Sequence, residues 1–165
     1  MDFDRETIKS MLREQSFWAD VPEPDLDALA AVSTVRDFAA GSTIFREGGD
    51  NHFLYVLQHG HVGLDMNVAG RGRVRILSLG PGEMLAWSAL LGDGQMTATA
   101  TALEETQVIS AAGQHLVELC NASHEFGYQL MTRVADVLAK RLVATRLQLL
   151  DLFSPSAMSG STDGS

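Results

Sequence analysis

The sequence predicts an α+β domain in which helices bracket an antiparallel β-structure, and three observations predict it. Apolar residues recur at helical spacing ahead of Val35, turn signals punctuate short apolar runs through the middle of the chain, and an apolar repeat in steps of three and four runs without a proline from Ser123 to Phe153. At 165 residues the chain can bury one substantial core without help from disulfides.

The elements follow in order. Thr7, Ile8, Leu12, Phe17 and Trp18 stand at uneven helical spacing, and Pro22-Glu23-Pro24-Asp25 opens a second helix carrying Leu26, Leu29 and Val32 on one side. Acidic residues in that first turn suit the positive end of the helix dipole. From Val35 the pattern changes to short strands, at Thr43–Phe45, Phe53–Gln58, His61–Met66, Val74–Leu79 and Thr97–Ser110. Gly41, Gly48-Gly49, Gly60, Gly70 to Gly72 and Gly82 separate them at intervals of about ten residues, the rhythm of an antiparallel sandwich or barrel. After Gln114 helical spacing returns, first over His115–Cys120 and then over the long segment from Ser123. Along that segment Tyr128, Met131, Ala135, Leu138, Leu142, Thr145, Leu149 and Leu152 form the a/d seam of a coiled coil. An apolar stripe on one long helix needs the β-structure or a second copy to cover it, and a two-fold dimer is the expectation. The chain thus divides into an N-terminal helical segment (1–34), a β-structure (35–114), C-terminal helices (115–153) and a small polar tail expected to be disordered (154–165).

Composition narrows the function. A formal charge of −9, with no local cluster of lysine and arginine, opposes attraction to phosphate backbones, so direct DNA binding is not expected. Cys120 is the single cysteine, which excludes an intrachain disulfide or a four-cysteine metal site and leaves it as a structural thiol. The first residues are acidic and polar, and no apolar run approaches the roughly eighteen residues of a membrane span; the expectation is a cytoplasmic protein.

The run from Gly80-Pro81-Gly82-Glu83 to Leu91 is the most informative stretch. A Gly-Pro-Gly turn after a strand, followed by a short apolar helix, either cradles an anion with converging backbone N–H groups or simply joins strand to helix. A second candidate is His59, His61 and Asp65, which would share one side of a strand and could form a cupin-like metal site; the alternative is a solvent-facing turn at Gly60. Arg71, Arg73 and Arg75 alternate along an extended segment, as the wet face of a hairpin or a docking stripe for an acidic partner. No histidine stands near Ser88, and no nucleophile–base arrangement marks an enzyme.

Several motifs resemble the cyclic-nucleotide-binding domain family, in particular the sensor half of bacterial regulators of the cAMP receptor protein and FNR type. They are Phe38 to Gly48, Leu54-Tyr55-Val56-Leu57 with Gly60 and Val62, Leu79 to Glu83, and the long helix with Lys140-Arg141-Leu142, within a match from about Leu26 to Phe153. The resemblance implies a jelly-roll β-barrel of the cupin-like double-stranded β-helix kind, flanked by N-terminal helices and by a long C-terminal dimerisation helix that roofs the pocket. It also implies a non-enzymatic regulatory module whose ligand lies against Gly82, Glu83, Ala86, Trp87, Ser88, Met96, Thr97 and Thr145.

The family's phosphate cassette is altered in this chain. The family's Gly-Glu pair falls on Ala86 and Trp87, its phosphate arginine falls near Met96 with Thr97 beside it, and no Arg or Lys lies between Arg75 and Arg133. A phosphate placed in a partly dry interior without a cation is costly, so the expectation is a degenerate site with weak or non-standard nucleotide-like ligands and no certain cofactor. Trp87 either fills the vacated pocket or stacks on a planar ligand. In the regulators a helix-turn-helix follows the long helix; the expectation here is a stand-alone form that does not read an operator by that route. The alternative implied by the resemblance is a ligand-free interaction subunit of a larger complex, for example a redox enzyme.

Overall fold

A computed structural model of the chain describes residues 2–152. Two short helices, α1 (Arg5–Glu14) and α2 (Glu23–Ala31), are joined by a 3₁₀ turn at Ser16–Trp18. Phe17 and Trp18 therefore sit on that turn, which explains their poor fit to the helical spacing. Asp4 caps α1 by accepting from the Thr7 N–H at 2.8 Å.

Eight antiparallel strands follow: β1 (Ser33–Phe38), β2 (Thr43–Phe45), β3 (Phe53–His59), β4 (Val62–Val68), β5 (Gly72–Leu79), β6 (Met84–Leu85), β7 (Thr99–Ala102) and β8 (Thr106–Ala112). They form two four-stranded sheets, ordered β1-β8-β3-β6 and β2-β7-β4-β5. The expected barrel is thus not closed: no hydrogen-bonded ladder joins the two sheets, which face each other as a sandwich. The strand expected over Thr97–Ser110 is two strands, because the Leu103-Glu104-Glu105 turn sends the chain back from the second sheet to the first.

Alternation along the strands creates two cores. Leu54, Val56, Ile109 and Ala111 point out of the first sheet into a layer of helices, where they meet Leu12, Trp18, Leu26, Leu116, Phe126 and Leu130. Tyr55, Leu57 and Val108 point the other way, toward Phe45, Val62, Leu79, Leu85, Met96 and Ala100 between the sheets. Burial on both faces explains why β3 reads as an unbroken apolar run. On the second sheet a bulge between Leu64 and Asp65 sets Asp65 opposite Arg75 on the outer face.

After β6 comes a one-turn helix, α3 (Ser88–Leu91), then α4 (Gly113–Ala122) and the long α5 (His124–Leu152). Gly113 is required by close approach: a Cβ there would overlap the Ala89 carbonyl oxygen, so α3 rests directly on the first turn of α4. Phe126, Leu130 and Val134 bury the first half of α5 in the helical layer. Its second half lies along the second sheet, with Gln148 Nε2 donating to the Arg75 carbonyl at 2.5 Å and Arg71 donating to the Leu152 carbonyl at 2.7 Å. Phe153, the last residue of the expected seam helix, and the tail from Ser154 lie outside the described residues. Among the described residues no helix is long and apolar enough to cross a membrane.

Candidate functional site

The Gly80–Gly82 turn does not offer its amides to an anion. Glu83 folds back so that its Oε2 accepts from the Gly80 N–H at 2.6 Å, the Gly82 N–H donates to the Leu57 carbonyl at 2.8 Å, and the Glu83 N–H donates to the Gly80 carbonyl at 3.2 Å. Pro81 has no N–H, so every donor of the turn is engaged. Gly82 has φ +86°, and a Cβ there would press on Ser16 Oγ, so the turn packs closely on the 3₁₀ turn that follows α1.

The N–H groups that remain free lie three residues on. Those of Ala86, Trp87 and Ser88 make no hydrogen bond with another described residue, and they open α3 at the edge of the inter-sheet core. Ala86 is buried with φ +68°, the one positive-φ residue among the described residues that is not glycine. An L-residue in that conformation carries strain of about 1–2 kcal/mol. Glycine, which the resemblance puts at this position in the family, would carry none.

Ala86 and Trp87 enter different cores. The Ala86 methyl faces the inter-sheet space with Leu85 and Met96. Trp87 turns to the helical layer, so it neither fills a vacated pocket between the sheets nor offers a stacking face there. Ser88, the first residue of α3, is buried, and its carbonyl accepts from the Gly92 and Gly94 N–H groups. Met96 is buried, its backbone bonded to Gly48 and Gly49 and its sulfur 3.7 Å from Asn51 Nδ2, while Thr97 is exposed.

A cation does reach this region, and sequence reasoning missed it. Arg141 on α5 is half-buried and donates to the Met84 carbonyl on β6, with Glu83 as its acidic neighbour. Desolvation pulls its guanidinium below the ordinary arginine range, and the Glu83 charge partly offsets that. The sequence window from Arg75 to Arg133 was empty of cations because this one arrives from the roofing helix. The usable signal was Thr145 four residues on, which places Arg141 one turn away on the same face. Thr145 itself is half-buried, and its hydroxyl donates to the Arg141 carbonyl at 2.7 Å, so its proton stays within the helix.

A second arginine lines the inner face at the far end of the sandwich. Arg36 lies over the rings of Phe38, Phe53 and Tyr55 at 5.3, 5.9 and 5.8 Å, and donates to the Tyr55 hydroxyl at 3.2 Å. Tyr55 donates in turn to Asn51 at 2.9 Å, and burial raises its phenol above the ordinary tyrosine value.

The metal candidate does not assemble. His61 Nδ1 lies 2.6 Å from Glu104, His59 is exposed at the end of β3, and Asp65 is buried between Arg73 Nε at 3.2 Å and Arg75 Nε at 2.5 Å. No group of three or more His, Cys, Asp or Glu among the described residues could hold a metal ion. Arg73 and Arg75 do share the outer face, where Gly63 leaves room for the Arg75 guanidinium to lie on β4.

The chain is thus an α+β domain built on a two-sheet antiparallel sandwich, with a turn-and-helix segment on one edge and a long helix packed across it. The chain belongs to the cyclic nucleotide-binding domain family, whose sequence profile matches residues 35–123. The cyclic AMP receptor protein of Thermus thermophilus is 30% identical over 119 residues, which are 72% of this chain and 53% of that protein. Glutaminase 2 of Bradyrhizobium diazoefficiens is 29% identical over 145 residues, 87% of this chain but 22% of that protein. A solved Geobacter metallireducens structure described as cyclic nucleotide-binding is 26% identical with a TM-score of 0.70, over 85% of this chain and 98% of its own. The chain thus spans about half or less of the length of these curated relatives.

Proposed function

We propose that the chain is a non-enzymatic regulatory module of the cyclic-nucleotide-binding type with a degenerate phosphate cassette, dimeric through α5. One observation carries the reading: Met96 and Thr97 stand where the resemblance puts the phosphate arginine, and the cassette turn has spent its amides on Glu83 and Leu57. The remaining attraction for an anion comes from the Ala86–Ser88 amides and from Arg141, whose guanidinium is already held by the Met84 carbonyl. A ligand between Gly82–Thr99 and Thr145 acts on both ends of that contact and so biases how α5 lies on the sandwich. Dimerisation is supported by the seam residues Tyr128, Leu142 and Leu149, which are exposed large apolar side chains on α5. Calorimetric titration with cAMP, cGMP and cyclic dinucleotides tests the reading. The expected result is no micromolar binding of cAMP, and micromolar affinity overturns the claim of a degenerate cassette.

A second reading has its own observation. Nearly the whole chain matches a small part of a much longer glutaminase-named protein, which favours an interaction module that acts beside a larger enzyme without a small ligand of its own. It predicts an unchanged Tm across a nucleotide panel; a shift of several degrees with any member of the panel removes it.

A further inference from the structure

The α5 seam that the dimer reading uses is flanked by arginines and by no acid. With Leu142 and Leu149 at heptad position a and Thr145 and Leu152 at d, Arg141 falls at g and Arg146 at e. The other g and e places between Tyr128 and Leu152 hold Thr132, Val134, Ala139 and Gln148. Arg146 is exposed and borders an open apolar groove of about 350 Å³ with Leu142, Thr145, Leu149 and Leu150, so whatever lies in the groove meets it.

A parallel two-fold pair brings g of one helix to the e place five residues on in the other, which sets Arg146 beside the partner's Arg141. Two like charges there oppose the pairing, and the helix holds no acid at its flanks to relieve them. The sandwich does. Arg141 turns inward, half-buried, to donate to the Met84 carbonyl, and Glu83 on the adjoining turn stands exposed as its acidic neighbour. Glu83 gives one carboxylate oxygen, Oε2, to the Gly80 N–H, and the other takes no hydrogen bond from a described residue. A negative group with an oxygen to spare thus stands beside the place on the flank where the partner's cation arrives. An antiparallel copy on the same leucines sets e against e, Arg146 against Arg146, with no such relief.

We propose that the partner's Arg146 pairs with Glu83, so that in a parallel dimer each cassette turn is completed by a side chain of the other copy. Arg141, Glu83 and the partner's Arg146 then form one charge cluster across the seam, twice by symmetry. This inference rests on the dimer reading above. Each copy carries a formal charge of −9, so an arginine that crosses the interface also meets a partner of opposite sign.

Fluorescence-detected sedimentation of the full chain over a dilution series tests it, at low ionic strength, where an exposed ion pair is least screened. The wild type is expected at twice the chain mass. R146Q, at an exposed position, should raise the dimer dissociation constant roughly three- to tenfold, because the two-fold axis counts the pair twice. R146K, which keeps the charge, should stay near the wild type. E83Q keeps an oxygen to accept from the Gly80 N–H while removing the charge, and an unchanged circular dichroism spectrum checks the fold of each variant. In an E83Q background the effect of R146Q should vanish. A dimer that ignores R146Q, or that R146Q tightens by relieving the clash with Arg141, overturns the pairing and leaves the dimer reading intact. An equal effect of R146Q with and without the Glu83 charge also overturns it. A monomeric wild type, as when residues 153–165 cover the groove instead, overturns both.

Discussion

The two faces of the first sheet bury comparable apolar side chains to different ends. On the helical side, Leu12, Leu116, Phe126 and Leu130 lock α1, α4 and α5 to β3 and β8, and Trp18 stacks on Phe126 with ring centroids 6.3 Å apart. Between the sheets, Phe45, Tyr55 and Met96 form the core, with Arg36 over the Tyr55 ring and Asn51 beside the Met96 sulfur. Ala86 and Trp87, adjacent in sequence, go one to each side. The difference teaches that the cassette joins the two cores, since Ala86 packs between the sheets while Trp87 packs in the layer that also buries the first half of α5.

Substitutions that break this contrast should do so with graded effects. The largest is Leu130→Ala, which empties a buried site in the helical layer and should cost about 2–5 kcal/mol in urea unfolding. A cost below about 1 kcal/mol would mean that the helical layer collapses to fill the space left. Next comes Thr97→Arg, which returns a cation to the cassette from an exposed position. A charge-assisted hydrogen bond is worth about 1.5–3 kcal/mol, so calorimetry should show cAMP affinity rising roughly ten- to hundredfold. An unchanged affinity would place the defect elsewhere than in missing charge.

A smaller effect of opposite sign is expected at Ala86. Ala86→Gly releases left-handed strain but gives up a buried methyl, for a net gain on the order of 0.5–1 kcal/mol in stability. A loss would show that the methyl's packing between the sheets outweighs its backbone strain.

The smallest effect concerns the clamp between α1 and α2. Lys9 pairs with Asp27 and Glu23, and Arg13 pairs with Glu23. Lys9, then Arg13, hold the Glu23 carboxyl below the ordinary glutamate value; its contribution is therefore present above that value and fades as pH falls through the lowered one. Asp27, then Glu23, raise Lys9, whose contribution is full below the ordinary lysine value and fades as pH rises through the raised one. Lys9→Ala should lower the Tm slightly at neutral pH and not at all once Glu23 and Asp27 are protonated. A deficit that persists in acid would assign the Lys9 side chain a packing role instead.

Much of this architecture was legible because its signals are local. Glycine punctuation marked the strands, and a helix of this length cannot hide its period. The Leu103-Glu104-Glu105 reversal was missed because apolar and threonine residues continue on both sides of it, and Met84–Leu85 is too short to show a period. The site was less legible, for reasons of distance along the chain. Whether Glu83 would engage the Gly80 amide depends on a side-chain rotamer, and Trp87 was assigned to the pocket because sequence order cannot say which side of a sheet edge a cap residue takes. Arg141 lies 57 positions from the carbonyl that it contacts. Arg36, Tyr55 and Asn51 meet only because β1 and β3 flank β8.

Glu83 gives the cassette a built-in rival. Its carboxylate is tethered three residues from the amide that it occupies, so its effective concentration there is on the order of millimolar and cannot be diluted. An arriving anion must displace it to use that amide, and the displaced charge then repels the newcomer. The turn thus carries its own competitor for any anion, and shortening Glu83 by one methylene would change that competition.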